Sequence, residues 1–542
     1  MAAHGMDPVA RSTAAEPHGD AHVEESPIPL FLVLSASLLL RLWHLGARSI
    51  WTDEGSTWTA ASARLPELIR LCANKDASPP LFYLLTSLAL KLGDDEWHLR
   101  LVSLLASVGL VWLTYRLARL ALPRGESTLA AAFCALSPFQ VMYAQEARTY
   151  TLVAFLTVAA IYLFTRAILL DRPRAWLPYV LVSALALYTQ SIALLGVGVQ
   201  IAIVLFTREG RRGLGRFVVA QVCAILLYAP WLFVSFAQAS RMHSSHWYPM
   251  APGGHELFMV IRSVFLSPIP LVTPHPGSPL PGLGAFMPDP VAQQLLLLIP
   301  LVPLIAALFT LRAPGRRGLL SRLALAMLVL PLIAVWLVSY RIPLWLPRYF
   351  VFLTPALAVV STIGLLRLRP RGFGTAWAAL VLLGAGYACF RYDTDYTKEP
   401  WREAVRRIVE ASPAGHTAAL VPFDLDAFRY YNNRLPQPIA AFEVSHPEVP
   451  FASDYSEPQL RWMEGRVRDQ SSSYEDVWLV IRSANSAIRR ELVARTQAVV
   501  SEGREKVSEE RLDSVGGPLR IEHYRRAMAP TAVPAGSVAT PH

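Results

Sequence analysis

The stretch IWTDEGSTW (residues 50–58) places two carboxylates, Asp53 and Glu54, side by side between Trp51 and Trp58. Adjacent carboxylates repel, so one of the pair holds a raised pKa unless a cation sits beside it. A carboxylate of this kind takes a proton from an incoming hydroxyl in general-base catalysis. The same residues also suit a solvated turn in which Asp53 caps the helix that follows. Trp51 and Trp58 fit either a membrane-interface belt or a surface on which a sugar ring stacks.

Two further stretches gather charge where apolar segments end. In SPFQVMYAQEARTYTL (137–152), Gln145, Glu146 and Arg148 are packed between Tyr143 and Tyr150. Charges at a membrane boundary are costly and are usually paired or functional. Arg148 is therefore a candidate phosphate clamp, with a local Glu146–Arg148 surface pair as the simpler reading. In SYRIPLWLPRYFVFLTP (339–355), Arg341 and Arg348, the latter followed by Tyr349, lie on the side where arginine is normally scarce. An anionic ligand such as a lipid phosphate accounts for them, as does interfacial snorkelling. A divalent cation held by Asp53 or Glu54 with His243 or His246 is a further arrangement that these residue types permit. No HExxH, P-loop, GxSxG or post-strand GxGxxG pattern occurs.

The elements that position these residues belong to a membrane. The chain has 542 residues, 53% hydrophobic and only 17% charged, with a mean hydropathy of +0.36. Apolar runs near 28–46, 99–121, 127–143, 149–167, 176–190, 191–207, 217–236, 291–311, 319–339, 349–366 and 374–390 are each long enough to cross a bilayer. This predicts a mainly α, polytopic protein with about eleven spans, the pair meeting at Tyr188–Gln190 being the shortest. The net charge of +10 is arginine parcelled into short loops (TREGRRGLGR, LRAPGRRGLLSR) rather than the single basic patch of a nucleic-acid binder. By the positive-inside rule those loops are cytoplasmic, which puts the N-terminus inside and the C-terminus outside. The four cysteines have neither metal-knuckle nor disulfide spacing.

Residues 1–27 read as a disordered cytoplasmic tail and 28–390 as the membrane domain. Two long outward loops interrupt that domain, at about 47–98 and 237–290, and loops of this length are usually functional. The first contains Ser78-Pro79-Pro80 leading an apolar helix too short to span. The second contains LFMVIRSVFL, which suits an interfacial helix. Beyond 390 the pattern changes. WREAVRRIVEA and ANSAIRRELVART are helix-like, whereas TAALVPF and VWLVIRS are strand-like, so 391–526 reads as a small extracytoplasmic α/β domain. Residues 527–542 read as a disordered tail.

W-x-DE, then PPLFYLL, YAQEAR-x-Y, PRYF and KEPWREA, in this order over nearly the whole chain, resemble bacterial membrane glycosyltransferases of the GT-C superfamily. The closest likeness is to glycosyltransferase family 39, with its dolichyl-phosphate-mannose–protein mannosyltransferases and aminoarabinose transferases. The resemblance implies interfacial helices in the first loop and a polyprenyl-phosphate sugar donor. It also implies inverting transfer to a hydroxyl of protein, lipid A or glycan at the outer face of the inner membrane. Asp53 would be the general base, Glu54 its support or a metal ligand, and Arg148 and Arg348 the holders of the donor phosphate. Relatives often read HPP where this chain has Ser78-Pro79-Pro80, and YTH where it has Tyr188-Thr189-Gln190. Both changes remove imidazoles and weaken the metal reading. Two other classes stay open on the residues alone: a transporter or lipid flippase, and a non-enzymatic envelope assembly protein. A transporter would show acids and broken helices near the bilayer midplane, whereas here the charges crowd at the boundary.

Overall fold

The computed structural model describes residues 26–74, 78–244, 252–268, 289–342, 344–412, 414–423, 425–446, 455–482 and 487–527. It opens with α1 (Ile28–Leu42). Three short helices then fill the first long loop: α2 (Thr52–Ser62), α3 (Leu65–Asn74) and α4 (Leu81–Leu90). The bundle continues with α5 (Glu96–Ala118), α6 (Arg124–Ala135), α7 (Pro138–Ala144), α8 (Tyr150–Leu170), α9 (Trp176–Leu187) and α10 (Leu194–Phe206). It is completed by α11 (Arg208–Arg212), α12 (Leu214–Ser244), α13 (Gly254–Phe265), α14 (Asp289–Leu308), α15 (Gly315–Val338), α16 (Thr354–Leu365) and α17 (Arg371–Asp395). A tight 3₁₀ segment, Pro347–Leu353, leads into α16.

Every apolar run expected to span is mainly helical, the 127–143 run as two helices and the 349–366 run opening on a 3₁₀ segment. Among the described residues, six helical segments are long and apolar enough to cross a membrane, and the bent pair α6–α7 makes a seventh. Others, including α1, α9, α10 and α14, are apolar but shorter. The 60° bend between α6 and α7 falls at Ser137-Pro138. Proline cannot extend a helix from behind but suits a first turn, and the Ser137 hydroxyl accepts the Gln140 N–H to start α7. Thus α7 tips its C-terminal turn, which carries Gln145 and Glu146, toward the first loop. The main core lies where α5, α8, α9, α15 and α16 meet, around Phe139, Phe164, Tyr179, Met327 and Phe350.

α17 runs on to Asp395, and the C-terminal unit follows it. It comprises α18 (Trp401–Ala411), β1 (Thr417–Val421), α19 (Leu425–Asn432), β2 (Ala440–Glu443), α20 (Glu457–Ser472) and β3 (Asp476–Arg482), then α21 (Ala487–Val500), β4 (Arg504–Leu512) and β5 (Leu519–Arg526). The sheet order is β2-β1-β3-β5-β4. β1 runs parallel to both its neighbours, and the β4–β5 hairpin adds antiparallel to β3. Its core is shared with the membrane part: Ile50, Leu99 and Ala147 pack with Trp401, Val405, Phe428 and Trp478. Apolar burial therefore fastens this unit onto the loop that carries Asp53.

Candidate active site

The adjacent acids Asp53 and Glu54 have opposite surroundings. α2 is capped at Trp51, so Asp53 is its second residue and Glu54 its third. It is Glu54, not Asp53, that reaches back to the cap, accepting the Trp51 N–H at 3.4 Å. The Glu54 carboxylate is fully buried. One oxygen accepts from Arg100 Nε and from the Ala147 N–H, both at 2.8 Å. The other accepts from Arg100 Nη2 at 2.9 Å and Lys398 Nζ at 3.0 Å. Burial alone would raise its pKa. The Arg100 guanidinium, the Lys398 ammonium and the Ala147 amide overcome that and hold it down at about 2. With both oxygens engaged, Glu54 is a structural anion at the junction of α2, α5 and the α7–α8 turn.

Asp53 points the other way and is about a third exposed. Its Oδ2 lies 3.9 Å from Arg148 Nε and 3.7 Å from Arg348 Nη1. These are ion pairs rather than tight hydrogen bonds, so the carboxylate keeps lone pairs to offer. Arg148 is aimed at α2: its Nη1 donates to the Asp53 carbonyl at 3.2 Å and approaches Thr57 Oγ1 at 3.3 Å. Its backbone N–H, not its side chain, meets Glu146, at the Glu146 carbonyl. The local Glu146–Arg148 surface pair is therefore not what orders this turn. Arg348 comes from the 3₁₀ segment that leads into α16. Both guanidinium groups lie over Tyr150, 5.9 and 5.8 Å from its ring centre, and Arg348 also lies near Tyr349. Tyr143 meets Tyr150 edge-on at 5.4 Å. Sequence positions 53, 143, 148, 150, 348 and 349 thus converge.

Glu146 is buried beside this cluster, 3% exposed. Burial pushes its carboxyl up to about 7; Lys398 opposes the shift, Glu54 and Asp53 add to it, and Arg348 opposes it. Gln145 serves as a brace at this turn. It accepts from Arg48 Nη1 at 2.5 Å and donates to the Arg41 and Trp43 carbonyls at 3.2 and 2.7 Å, which consumes its amide. Trp58 is likewise committed to a joint. Its indole N–H donates to Asp94, its ring meets Tyr430 edge-on, and Arg434 stacks over it. Trp51 is half-buried at the α2 cap, and Arg341 sits exposed on the turn after α15.

The metal expectation finds no support in this geometry. Glu54 has no oxygen to spare, and among the described residues no group of three or more His, Cys, Asp or Glu is placed to hold an ion. The side chains of His243 and His246 lie outside the described residues. Arg100, Lys398, Glu399 and Arg482 were not picked out by the sequence reading. For Arg100 a signal existed, an arginine inside an apolar run. Lys398 and Glu399 stand in the quoted KEPW motif without a role that spacing could reveal.

Fold and site together define a polytopic helical membrane protein with a small C-terminal sheet unit. It carries an acid of the first loop beneath two arginines and is closed over by an α/β unit. Residues 77–234, which include the proline-led helix and the QEAR turn, match the family model for dolichyl-phosphate-mannose-protein mannosyltransferase. No curated protein sequence gives a significant match. The structure is similar to that of ArnT from Cupriavidus metallidurans in the apo state (TM-score 0.58, 13% identity, covering 91% of this chain and 97% of that one). It is also similar to the same protein bound to undecaprenyl phosphate (TM-score 0.54, 14% identity, 92% and 98% covered). The Archaeoglobus fulgidus oligosaccharyltransferase, in a complex with Zn and sulfate, matches at a TM-score of 0.51 with 11% identity, covering 83% of this chain and 67% of its own.

Proposed function

We propose that this chain is an inverting glycosyltransferase that moves a sugar from a polyprenyl-phosphate donor to a hydroxyl acceptor, working at the outer face of the cytoplasmic membrane. The observation that carries the reading is the half-open Asp53 carboxylate beside the two guanidinium groups of Arg148 and Arg348. Single displacement at an anomeric carbon needs a base for the acceptor and cations for the leaving phosphate. Asp53 takes the acceptor proton. The acceptor oxygen forms its bond to the anomeric carbon as the bond to the phosphate oxygen breaks, and the electron pair leaves with the polyprenyl phosphate. Arg148 and Arg348 then neutralise the phosphate charge. The family match over 77–234 and the likeness to a protein that binds undecaprenyl phosphate support a lipid-phosphate donor. The boundary position of the charges and the arginine-rich loops support an inward N-terminus and an outward C-terminal unit.

The test is Asp53→Asn, which keeps shape and removes basicity. Transfer from undecaprenyl-phosphate sugars should fall by roughly 10²–10⁴-fold, the usual worth of a positioned base, while membrane insertion and donor KM hold. Transfer at the wild-type rate would remove Asp53 from the base role.

A further inference from the structure

The C-terminal sheet turns the carboxyl ends of β1 and β3 toward the loop that carries Asp53. β1 connects through α19 to β2 on one side, and β2 connects through α20 back to β3 on the other. The chain therefore reverses direction between β1 and β3. In open α/β sheets, the crevice beyond the carboxyl ends of strands at such a point is where ligands bind. Here that crevice receives α2. The start of α19, just past β1, meets Gly55 so closely that a Cβ there would lie 2.5 Å from the Ala427 nitrogen. Arg482, the last residue of β3, donates to Thr52 Oγ1 at 3.2 Å.

The grip centres on Glu399, which is 2% exposed. Its Oε2 accepts both the Thr52 N–H, at 3.0 Å, and the Thr52 hydroxyl, at 2.8 Å. Trp401 Nε1 donates to the same oxygen at 2.8 Å, and Arg482 Nε lies 3.0 Å from Oε1. Thr52 immediately precedes Asp53. Among the described residues the Asp53 side chain has only the longer ion pairs to Arg148 and Arg348, so the backbone of α2 decides where it points. We propose that the switch-point crevice of the C-terminal unit is a socket that orients α2, and that Glu399 is a positioning residue for Asp53. The inference rests on the base reading of Asp53 above. It makes the C-terminal unit part of the catalytic apparatus rather than an appended module.

The experiment compares wild type, Glu399→Gln, Thr52→Val and Asp53→Asn in the full-length, detergent-solubilised chain. It follows amide hydrogen exchange and transfer from the undecaprenyl-phosphate sugar that wild type consumes. In Glu399→Gln, an amide NH₂ or a lost charge faces Thr52, Trp401 and Arg482. Exchange should rise in α2 but not in α5 or α8, and kcat should fall about tenfold or more at a donor KM within about threefold, since small misplacements of a reacting group carry costs of that order. Combined with Asp53→Asn, it should lower the residual rate no further, because both act through one group. Thr52→Val removes a single hydroxyl and keeps the test decisive if Glu399→Gln does not fold. It should raise α2 exchange and lower kcat about threefold or more. Unchanged exchange in α2, or an unchanged kcat in folded protein, overturns the socket. An active Asp53→Asn overturns instead the base reading on which it rests.

Discussion

At the scale of single residues, two neighbouring carboxylates are divided by what each faces. Glu54 is spent on Arg100, Lys398 and the Ala147 N–H, and removing its charge would leave the Arg100 and Lys398 cations buried without their anion, a change that typically costs about 3–5 kcal/mol. Asp53 is left with lone pairs and two arginines at a distance. The third acid, Glu146, carries the opposite perturbation to Glu54: its pKa rises from an ordinary 4.5 to about 7. Below 4.5 it is neutral in both folded and unfolded chain. Between 4.5 and 7 the unfolded chain has lost the proton that the folded one keeps, so stability declines as pH rises through that window. Glu146→Gln is neutral at every pH. Its apparent Tm in detergent should match wild type near pH 4 and exceed it at pH 8. Equal Tm differences at the two pH values would mean that Glu146 is not held neutral by burial.

At the scale of elements, α2 is clasped from two sides. Its inner face presents Glu54, Thr57 and Ala61 to the bundle, and the Arg148 guanidinium and the Ala147 amide reach it from the α7–α8 turn. Its other side presents Gly55 to α19, backbone against backbone. Glycine is required there by space, since φ is unremarkable and the obstruction is main chain rather than a side chain that could swing away. Gly55→Ala should therefore part α2 from α19 and cost roughly 1–3 kcal/mol, as overpacking does. Alanine is also the better helix former, so a propensity argument gives the opposite sign. Thermal unfolding in detergent decides between them, and a stabilised Gly55→Ala variant would mean that the two helices do not touch.

At the scale of the whole molecule, what was legible in the sequence was whatever interrupts an apolar background. Asp53, Arg148 and Arg348 stood out because each breaks a long apolar pattern at its edge. The α9–α10 break showed in Tyr188–Gln190 for the same reason. What was not legible is pairing at a distance. Glu54 meets Arg100 across 46 positions and Lys398 across 344, and no periodicity connects residues so far apart. β4 (REKVSEERL) escaped notice because it is a charged, largely exposed edge strand without the alternation that marks a half-buried one. The joint between the two halves is built from such distant pairs: Lys398 with Glu54, Glu399 with Thr52, Arg402 with Glu96, and Trp401 against the core of Ile50 and Leu99. A chain ending at Tyr396 would lose all of them. The main bundle core of α5, α8, α9, α15 and α16 draws on none of these contacts, so the truncated chain should still insert and stay monodisperse. Its first loop, between α1 and α5, should become protease-sensitive. Transfer should fall by about 10²-fold or more, because Asp53, the proposed base, is no longer oriented. Limited proteolysis alongside the transfer assay measures both. Wild-type transfer by the truncated chain would mean that the membrane bundle alone orients α2, and that the C-terminal unit serves some other purpose.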